Sequence, residues 1–510
     1  MKSKTNFTAV IKDNKAEAIS IVLGSIFYVF MMCYRLTFSP LWFDEYVEHE
    51  ISQMSIKSGE MYTNIIRTFQ PPLYNFVMHF WLRIAQDVFW FRLFNVLLGI
   101  VIGLCIYLTV RRLYGFKPAT ASLVLLGCCY QYIYCVQECS EYQLMVMFIS
   151  LMLYFYVRTI QDECRISALL FVISGIGAMY SQYGAMFMVI PFLGLFYIKV
   201  LISKDKKNII SLTAVYAIAL FAAAAPLYLL YASKQLKENA IADHTTVSFG
   251  ISQLLSLFTE PGRILGYLYN IPAVSLLSIL MGVIGVIYIV TSIYISITKI
   301  KTKQYIIADI LMATLLGYVL HYFLVIFQVY AMVHPGQSGG FYCRYSYFYI
   351  PAVIVCIFII VMELKRSLID NAGKNVKTTN CVVIGLFALV AVTLFIPNIL
   401  KNWHKAYDDI FAETWVSRNG WEEPTYMIGQ AKYGIKHYIT EVYGPAASSN
   451  MHTELELDYN YMPASFWLWR TSWGGDGFDK ICTDTASMGY DVEVIYDFGQ
   501  EGQLAHISAK

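Results

Sequence analysis

Charge is what this sequence has least of. Asp, Glu, Lys and Arg fill 14% of its 510 positions, where a soluble protein of ordinary composition carries roughly a quarter. A chain so poor in charge cannot clothe its surface for water, which excludes a soluble globular protein. The net charge of +2 excludes a nucleic-acid partner, because affinity for a phosphate backbone needs many cations acting together. Cysteine occurs 11 times but never as CxxC, so zinc-finger and thioredoxin-like motifs are absent. Most cysteines fall in apolar runs, where the usual role is a small buried hydrophobe. Repeats at solenoid periods and inverted halves are missing too, which argues against a repeat protein and the commoner transporter plans.

Apolar residues are what is there. They make up 57% of the chain and the mean hydropathy is +0.53. Aromatics reach 16%, led by 40 tyrosines, which suits interfacial belts and a carbohydrate-contacting surface. The first apolar run, residues 17–38, follows Lys2, Lys4, Lys12 and Lys15. It is too long for a signal-peptide core and reads as a retained span with a cytoplasmic N-terminus. Residues 39–88 form a first external loop that includes a short apolar stretch, Pro72–Ile84, suited to the membrane interface. A second span starts near Phe89 and ends in Arg111–Arg112, and further runs centre near 126, 149, 173, 191, 221, 285, 319, 354 and 390. The total is about eleven spans, each of ordinary length for a bilayer. Basic residues recur in alternate connectors, all on the inner side as the positive-inside rule requires: Arg158 and Arg165, Lys204–Lys207, Lys299–Lys303, Lys365–Lys377.

An odd count from a cytoplasmic start leaves the C-terminus outside. The fold expected is an all-α polytopic membrane protein over residues 1–400, with a small extracytoplasmic α/β domain over 401–510. That domain shows a helix-like piece at Tyr433–Tyr443 and strand-like runs at 491–499 and 505–508. Its tryptophan-rich run, residues 467–477, could contact carbohydrate, though core packing is the plainer role.

The densest polar cluster, SPLWFDEYVEHE at 39–50, follows the first span. A helix starting near Asp44 puts Asp44 and Glu48 on one face, and Glu45 and His49 on the adjacent one. Acids at a membrane surface are partly desolvated, which raises a carboxylate toward the range of a useful base. An acidic helix N-terminus, favoured by the helix dipole, explains the same residues. Spacing alone does not choose between them. Asp44, Glu45, Glu48 and His49 could also hold a divalent ion, although carboxylate clusters without metal are commoner.

The order of motifs resembles the GT-C glycosyltransferases, in the branch of protein O-mannosyltransferases and lipid A aminoarabinose transferases. Asp44–Glu45 matches their acidic pair after span one, and Gln70–Pro71–Pro72–Leu73 matches their His-Pro-Pro-Leu segment. Arg92–Leu93 and the turn Arg111–Arg112–Leu113–Tyr114–Gly115 follow in order, then Gln137–Glu138–Cys139–Ser140–Glu141–Tyr142, and late in the chain Arg344–Tyr345 with Pro351. Gln70 stands where the family has His, and Ser140 where it has Arg.

The resemblance implies a membrane enzyme that takes a sugar from a polyprenyl-phosphate carrier and gives it to an extracytoplasmic protein, lipid or polysaccharide, by inverting displacement. A phosphate leaving group needs positive charge, and the acceptor hydroxyl needs a base. The resemblance assigns Asp44 as base and Glu45 as the residue that orients it. Arg344 takes the donor phosphate, with Tyr345 beside it, although an interfacial arginine could equally be snorkelling. Arg92, a candidate substrate-binding residue, is too costly in lipid to be idle and is expected to pair with a carboxylate such as Glu138, in a pair that fits a structural or a catalytic role equally. Glu138 and Tyr142 are candidates to line the sugar site, and Arg263 is a reserve phosphate ligand. The setting implied is a bacterial plasma membrane with the active site outward. The competing class is a transporter or lipid flippase, which would place its ionisable groups at the bilayer midplane.

Overall fold

The structure, a computed structural model, describes residues 7–37, 41, 43–68, 70–162, 164–202, 218–219, 221–237, 276–326, 343–370, 375–400, 408–429, 432–454, 457, 459, 461–471, 477–498 and 502–510. Contacts divide the chain into two compact units. Residues 1–34, 55–77 and 94–400 form the first, and 35–54, 78–93 and 401–510 the second. Two pieces of the first loop therefore cluster with the C-terminal region.

The helices run α1 (Phe7–Cys33), α2 (Phe43–Gln53), α3 (Glu60–Arg67), α4 (Leu73–Trp81), α5 (Val88–Tyr114), α6 (Phe116–Cys128), α7 (Tyr130–Val136), α8 (Glu141–Asp162), α9 (Arg165–Ser181) and α10 (Met186–Ile202). There follow α11 (Ser233–Lys237), α12 (Leu276–Lys301), α13 (Tyr305–Ile326), α14 (Ile350–Asp370), α15 (Val376–Leu400), α16 (Asp408–Ser417), α17 (Lys432–Tyr443) and α18 (Phe478–Ser487). The first unit is helical because apolar runs in lipid must satisfy their backbone internally. Among the described residues eight helices are long and apolar enough to cross a membrane, or nine if the bent pair α6–α7 is one span. The apolar helix α9 is shorter, and the run centred near 221 falls partly outside the described residues.

The bend between α6 and α7 is 70°, at Cys129, whose ψ of 106° takes the backbone out of the helix. A broken helix at membrane depth survives only where protein encloses it. All of α7 except Tyr134 is buried accordingly. Gly115 closes α5 with φ +85°, which explains the glycine after the Arg-Arg-Leu-Tyr turn. The basic connectors are tied at helix ends: Arg112 reaches Asp162 at 3.0 Å, and Lys299 reaches Glu363 at 2.5 Å. Lys199 pairs with Asp309, which also accepts from the Tyr156 hydroxyl.

The second unit holds a five-stranded sheet of order β2-β1-β3-β5-β4, from β1 (Thr425–Ile428), β2 (Met451–His452), β3 (Ser465–Arg470), β4 (Tyr490–Asp497) and β5 (Gln503–Ala509). β1 runs parallel to β2 and β3, while β5 is antiparallel to β3 and β4. The helix and the two strands visible in the sequence are α17, β4 and β5. Trp467 and Trp469 of β3 lie in the core with Phe411, Trp415 and Leu504, so packing is their role rather than carbohydrate contact. Helix α2 lies against α17. Tyr46 stacks on Tyr433 at 5.9 Å, and a side chain at Gly434 would collide with the Leu41 carbonyl.

Candidate functional site

Helix α2 opens on the acidic pair, with Asp44 and Glu45 in its first turn. Free N–H groups and the helix dipole favour carboxylates there. The helical period then sorts the remaining polar residues. Glu45, Glu48, His49 and Ser52 share one face and are all at most 2% exposed. Asp44 is only half-buried.

A buried carboxylate needs a partner, and Glu45 has one. The Arg92 guanidinium donates from Nε to Glu45 Oε1 at 3.0 Å and from Nη2 to Oε2 at 2.8 Å. Its Nη1 donates to the Leu36 carbonyl at 3.0 Å. Two parallel bonds of this kind fix geometry as well as charge. The pair clamps the first turn of α2 to the start of α5. The sequence calls for a carboxylate beside Arg92, and Glu138 is one such candidate. The carboxylate that takes its fork is Glu45, 47 residues away, a pairing that spacing does not reveal.

His49 sits one turn further on. Its Nδ1 lies 2.8 Å from Gln53 Nε2 and its Nε2 3.2 Å from the Gln86 carbonyl. The ring meets Phe91 edge-on and faces His437 of α17, each at 5.1 Å between centroids. Burial, and then the neighbouring His49, lower the pKa of His437 below the ordinary histidine value. Among the described residues no three His, Cys, Asp or Glu side chains converge on a metal position. The quartet Asp44, Glu45, Glu48 and His49 does not assemble as one because both Glu45 oxygens serve Arg92.

In the first unit the motif Gln137–Tyr142 links α7 to α8. Gln137 donates to the carbonyls of Met32 and Tyr34, at 3.0 and 2.8 Å, and so caps the end of α1. Asn95 donates to the Glu138 carbonyl, and the side chains of Glu138, Glu141 and Tyr142 are buried. Arg344 and Tyr345 lie on a 3-10 helix, Cys343–Tyr349, with their side chains outside the described residues, as is all of Arg263. Tyr347, on the same short helix, donates to Gln143 Oε1 at 2.6 Å. Gln143 donates to Tyr132, whose hydroxyl bonds that of Tyr28, which in turn donates to the Gly99 carbonyl.

Sequence reading missed that chain, and it missed Gln235. The Gln235 amide donates to the carbonyls of Ile65 and Gln70, at 3.0 and 2.7 Å, and accepts from Tyr183 at 2.7 Å. It thereby fixes the segment entering Pro71–Pro72. Acids inside spans were the available signal for the buried pairs Lys199–Asp309 and Lys299–Glu363, since such residues are rare in lipid.

Residues 69–228 match the family model described as dolichyl-phosphate-mannose-protein mannosyltransferase. The match begins after Asp44–Glu45 and takes in the Pro-Pro-Leu segment, Arg92, the Arg-Arg turn and Gln137–Tyr142. No curated protein sequence matches the chain. Across 97% of this chain and 98% of the other, the structure resembles ArnT from Cupriavidus metallidurans in the apo state, with a TM-score of 0.55 and 10% identity. The same protein bound to undecaprenyl phosphate gives a TM-score of 0.48 and 11% identity, over 96% of this chain and 97% of that one. An oligosaccharyltransferase of Archaeoglobus fulgidus gives 0.47 and 13%, over 85% of this chain and 64% of that one. The apo ArnT likeness shows the fold of this chain and nothing beyond the fold.

Proposed function

We propose, from that ArnT-like fold and the GT-C-like order of motifs, that this chain is a membrane glycosyltransferase that moves a sugar from a polyprenyl-phosphate carrier to an acceptor hydroxyl outside the cytoplasm. The observation that carries the reading is the ArnT-like fold over nearly the whole chain, with an acidic helix directly after the first span. The transporter reading gains nothing from these likenesses.

In the reaction, an acceptor oxygen attacks the anomeric carbon from the face opposite the phosphate. The C–O bond to phosphate breaks, the acceptor proton passes to a base, and the carrier leaves as the lipid phosphate anion. Configuration inverts. Asp44 is the base: it is half-buried and stands beside a carboxylate already neutralised by Arg92. Glu45 is a positioning residue, because its two oxygens are held by the guanidinium and its bond fixes the turn that carries Asp44. Arg344 is assigned to the donor phosphate, where a fixed cation stabilises the leaving anion, with Tyr345, Glu138, Tyr142 and Arg263 as further donor contacts. The connectors that carry Arg111–Arg112, Arg158 and Lys299–Lys303 face the cytoplasm, and the C-terminal unit lies outside.

The test is transfer from radiolabelled polyprenyl-phosphate sugars in membranes containing wild type or Asp44→Asn, with a mixed acceptor extract. Wild type should form labelled product, and Asp44→Asn should lose roughly 10²- to 10⁴-fold, the usual worth of a positioned base. Equal transfer by both would remove Asp44 from the role. No transfer across a broad donor panel would sink the transferase reading.

A further inference from the structure

The first unit carries a cleft formed where α5, α8, α10 and α12 end and α13 begins, at the face that gathers the basic connectors. Its volume is about 800 Å³, with Arg112, Lys199 and Lys303 on its walls, within the range of ligand sites. None of the residues assigned to transfer lines it, so it stands independently of the transferase reading.

Two features of the cleft are complementary to one kind of molecule. Most of its exposed surface is apolar, supplied by Leu195, Ile202, Ile306 and their aliphatic neighbours. Its charged lining is cationic on balance: Arg112, Lys199 and Lys303 stand against Asp309, which Lys199 pairs, while Arg112 reaches Asp162 beside the cleft, a carboxylate it shares with Arg158. Lys303 is exposed. Among the described lining residues three cations thus face one carboxylate, which leaves a positive surplus beside an aliphatic wall.

Lys303 also occupies a backbone position that lysine avoids. Its φ is +60°, in the left-handed region where glycine or asparagine is the unstrained choice. The turn is closed by Gln304 N–H donating to the Lys299 carbonyl at 2.8 Å. A strained lysine at the mouth of a basic, apolar-walled cleft points to a use for its side chain.

We propose that this cleft binds an anionic glycerophospholipid, its headgroup phosphate against Lys303 and Arg112 and its acyl chains along α10 and α13. Basic pockets between spans recognise lipid headgroups by this combination of charge and aliphatic contact. A soluble phosphate would use the cations and leave the aliphatic wall unused, so the lipid is the occupant that satisfies both features.

The full chain, purified in detergent, would be titrated with phosphatidylglycerol or phosphatidylcholine and the bound lipid counted by native mass spectrometry. Phosphatidylglycerol should be retained in preference, and Lys303→Gln should weaken it roughly five-fold, the typical worth of one cation near an anionic surface. Arg112→Gln should weaken it by a similar factor, and Lys303→Arg should hold wild-type affinity. Lys303 lies in an exposed turn, so its variants keep the test valid if Arg112→Gln fails to fold. Equal retention of both lipids, or unchanged affinity in Lys303→Gln, would overturn the proposal. Displacement of the lipid by glycerol 3-phosphate at equal concentration would overturn it as well, by showing a site for the anion alone.

Discussion

Helix α2 of the second unit and the tyrosine chain of the first satisfy buried polar groups in different ways. In the second unit helix α2 is held by a buried ionic contact, Arg92 on Glu45, beside a neutral one in the sheet core, Trp415 on Thr425. In the first unit the long buried connection is neutral, running through Tyr347, Gln143, Tyr132 and Tyr28, and its ion pairs sit near helix ends. An ion pair far from water must overcome a large desolvation penalty, whereas a hydroxyl or amide needs only a partner. The first unit accordingly ties helices with tyrosine and glutamine as well as with ion pairs. In α2 the charged residues Asp44, Glu45, Glu48 and Glu50 gather within two turns.

If the contrast is real, breaking the ionic contact should have the largest effect. Arg92→Met leaves Glu45 buried and uncompensated, which should cost about 3–5 kcal/mol of stability. Thermal unfolding followed by tryptophan fluorescence would read the loss, since Trp415, Trp467 and Trp469 lie in the core of the same unit. The double variant Glu45→Gln with Arg92→Met should be more stable than Arg92→Met alone, because no charge is then stranded. A double variant as unstable as the single one would mean that packing, not charge, holds α2 to α5.

The neutral connection should be weaker by several-fold. Tyr347→Phe removes one hydroxyl from Gln143, and side-chain hydrogen bonds between membrane helices are worth about 0.6 kcal/mol on average and about 1.7 at most. The same unfolding assay on the full chain should therefore show a small shift. A loss as large as that of Arg92→Met would erase the distinction between the units and make the tyrosine chain the keystone of the fold.

The sequence made the first unit legible because lipid imposes a simple rule: long apolar runs become helices, and basic residues gather at one set of connectors. The acidic helix was legible for a similar reason, since Asp44 and Glu45 mark a helix start at Phe43. Strands β4 and β5 showed as alternating runs. Strands β1 and β2 did not, because four and two residues are too few to display a period. The Glu45–Arg92 pair was half visible. An arginine heading a span demands a carboxylate, but several acids were in reach and only tertiary structure chooses one. Gln235 carried no signal, because a lone glutamine looks the same whether it clamps two carbonyls or faces solvent.

The smallest effect separates the units by pH. His437 lies against His49, and its pKa is lowered by burial first and by that neighbour second. The unfolded chain therefore binds the proton more readily than the folded one, so stability rises with pH across the window below the ordinary value of 6.5. Above that window the group is neutral in both states and adds no pH dependence. Other groups facing the ring are Tyr46 and Glu441, with Glu50 beside His49. Acidification below about pH 6.5 should lower the unfolding temperature of wild type, and His437→Gln should flatten that slope by a fraction of a proton. An unchanged slope would assign the acid sensitivity to the carboxylates of α2, leaving His437 a packing residue.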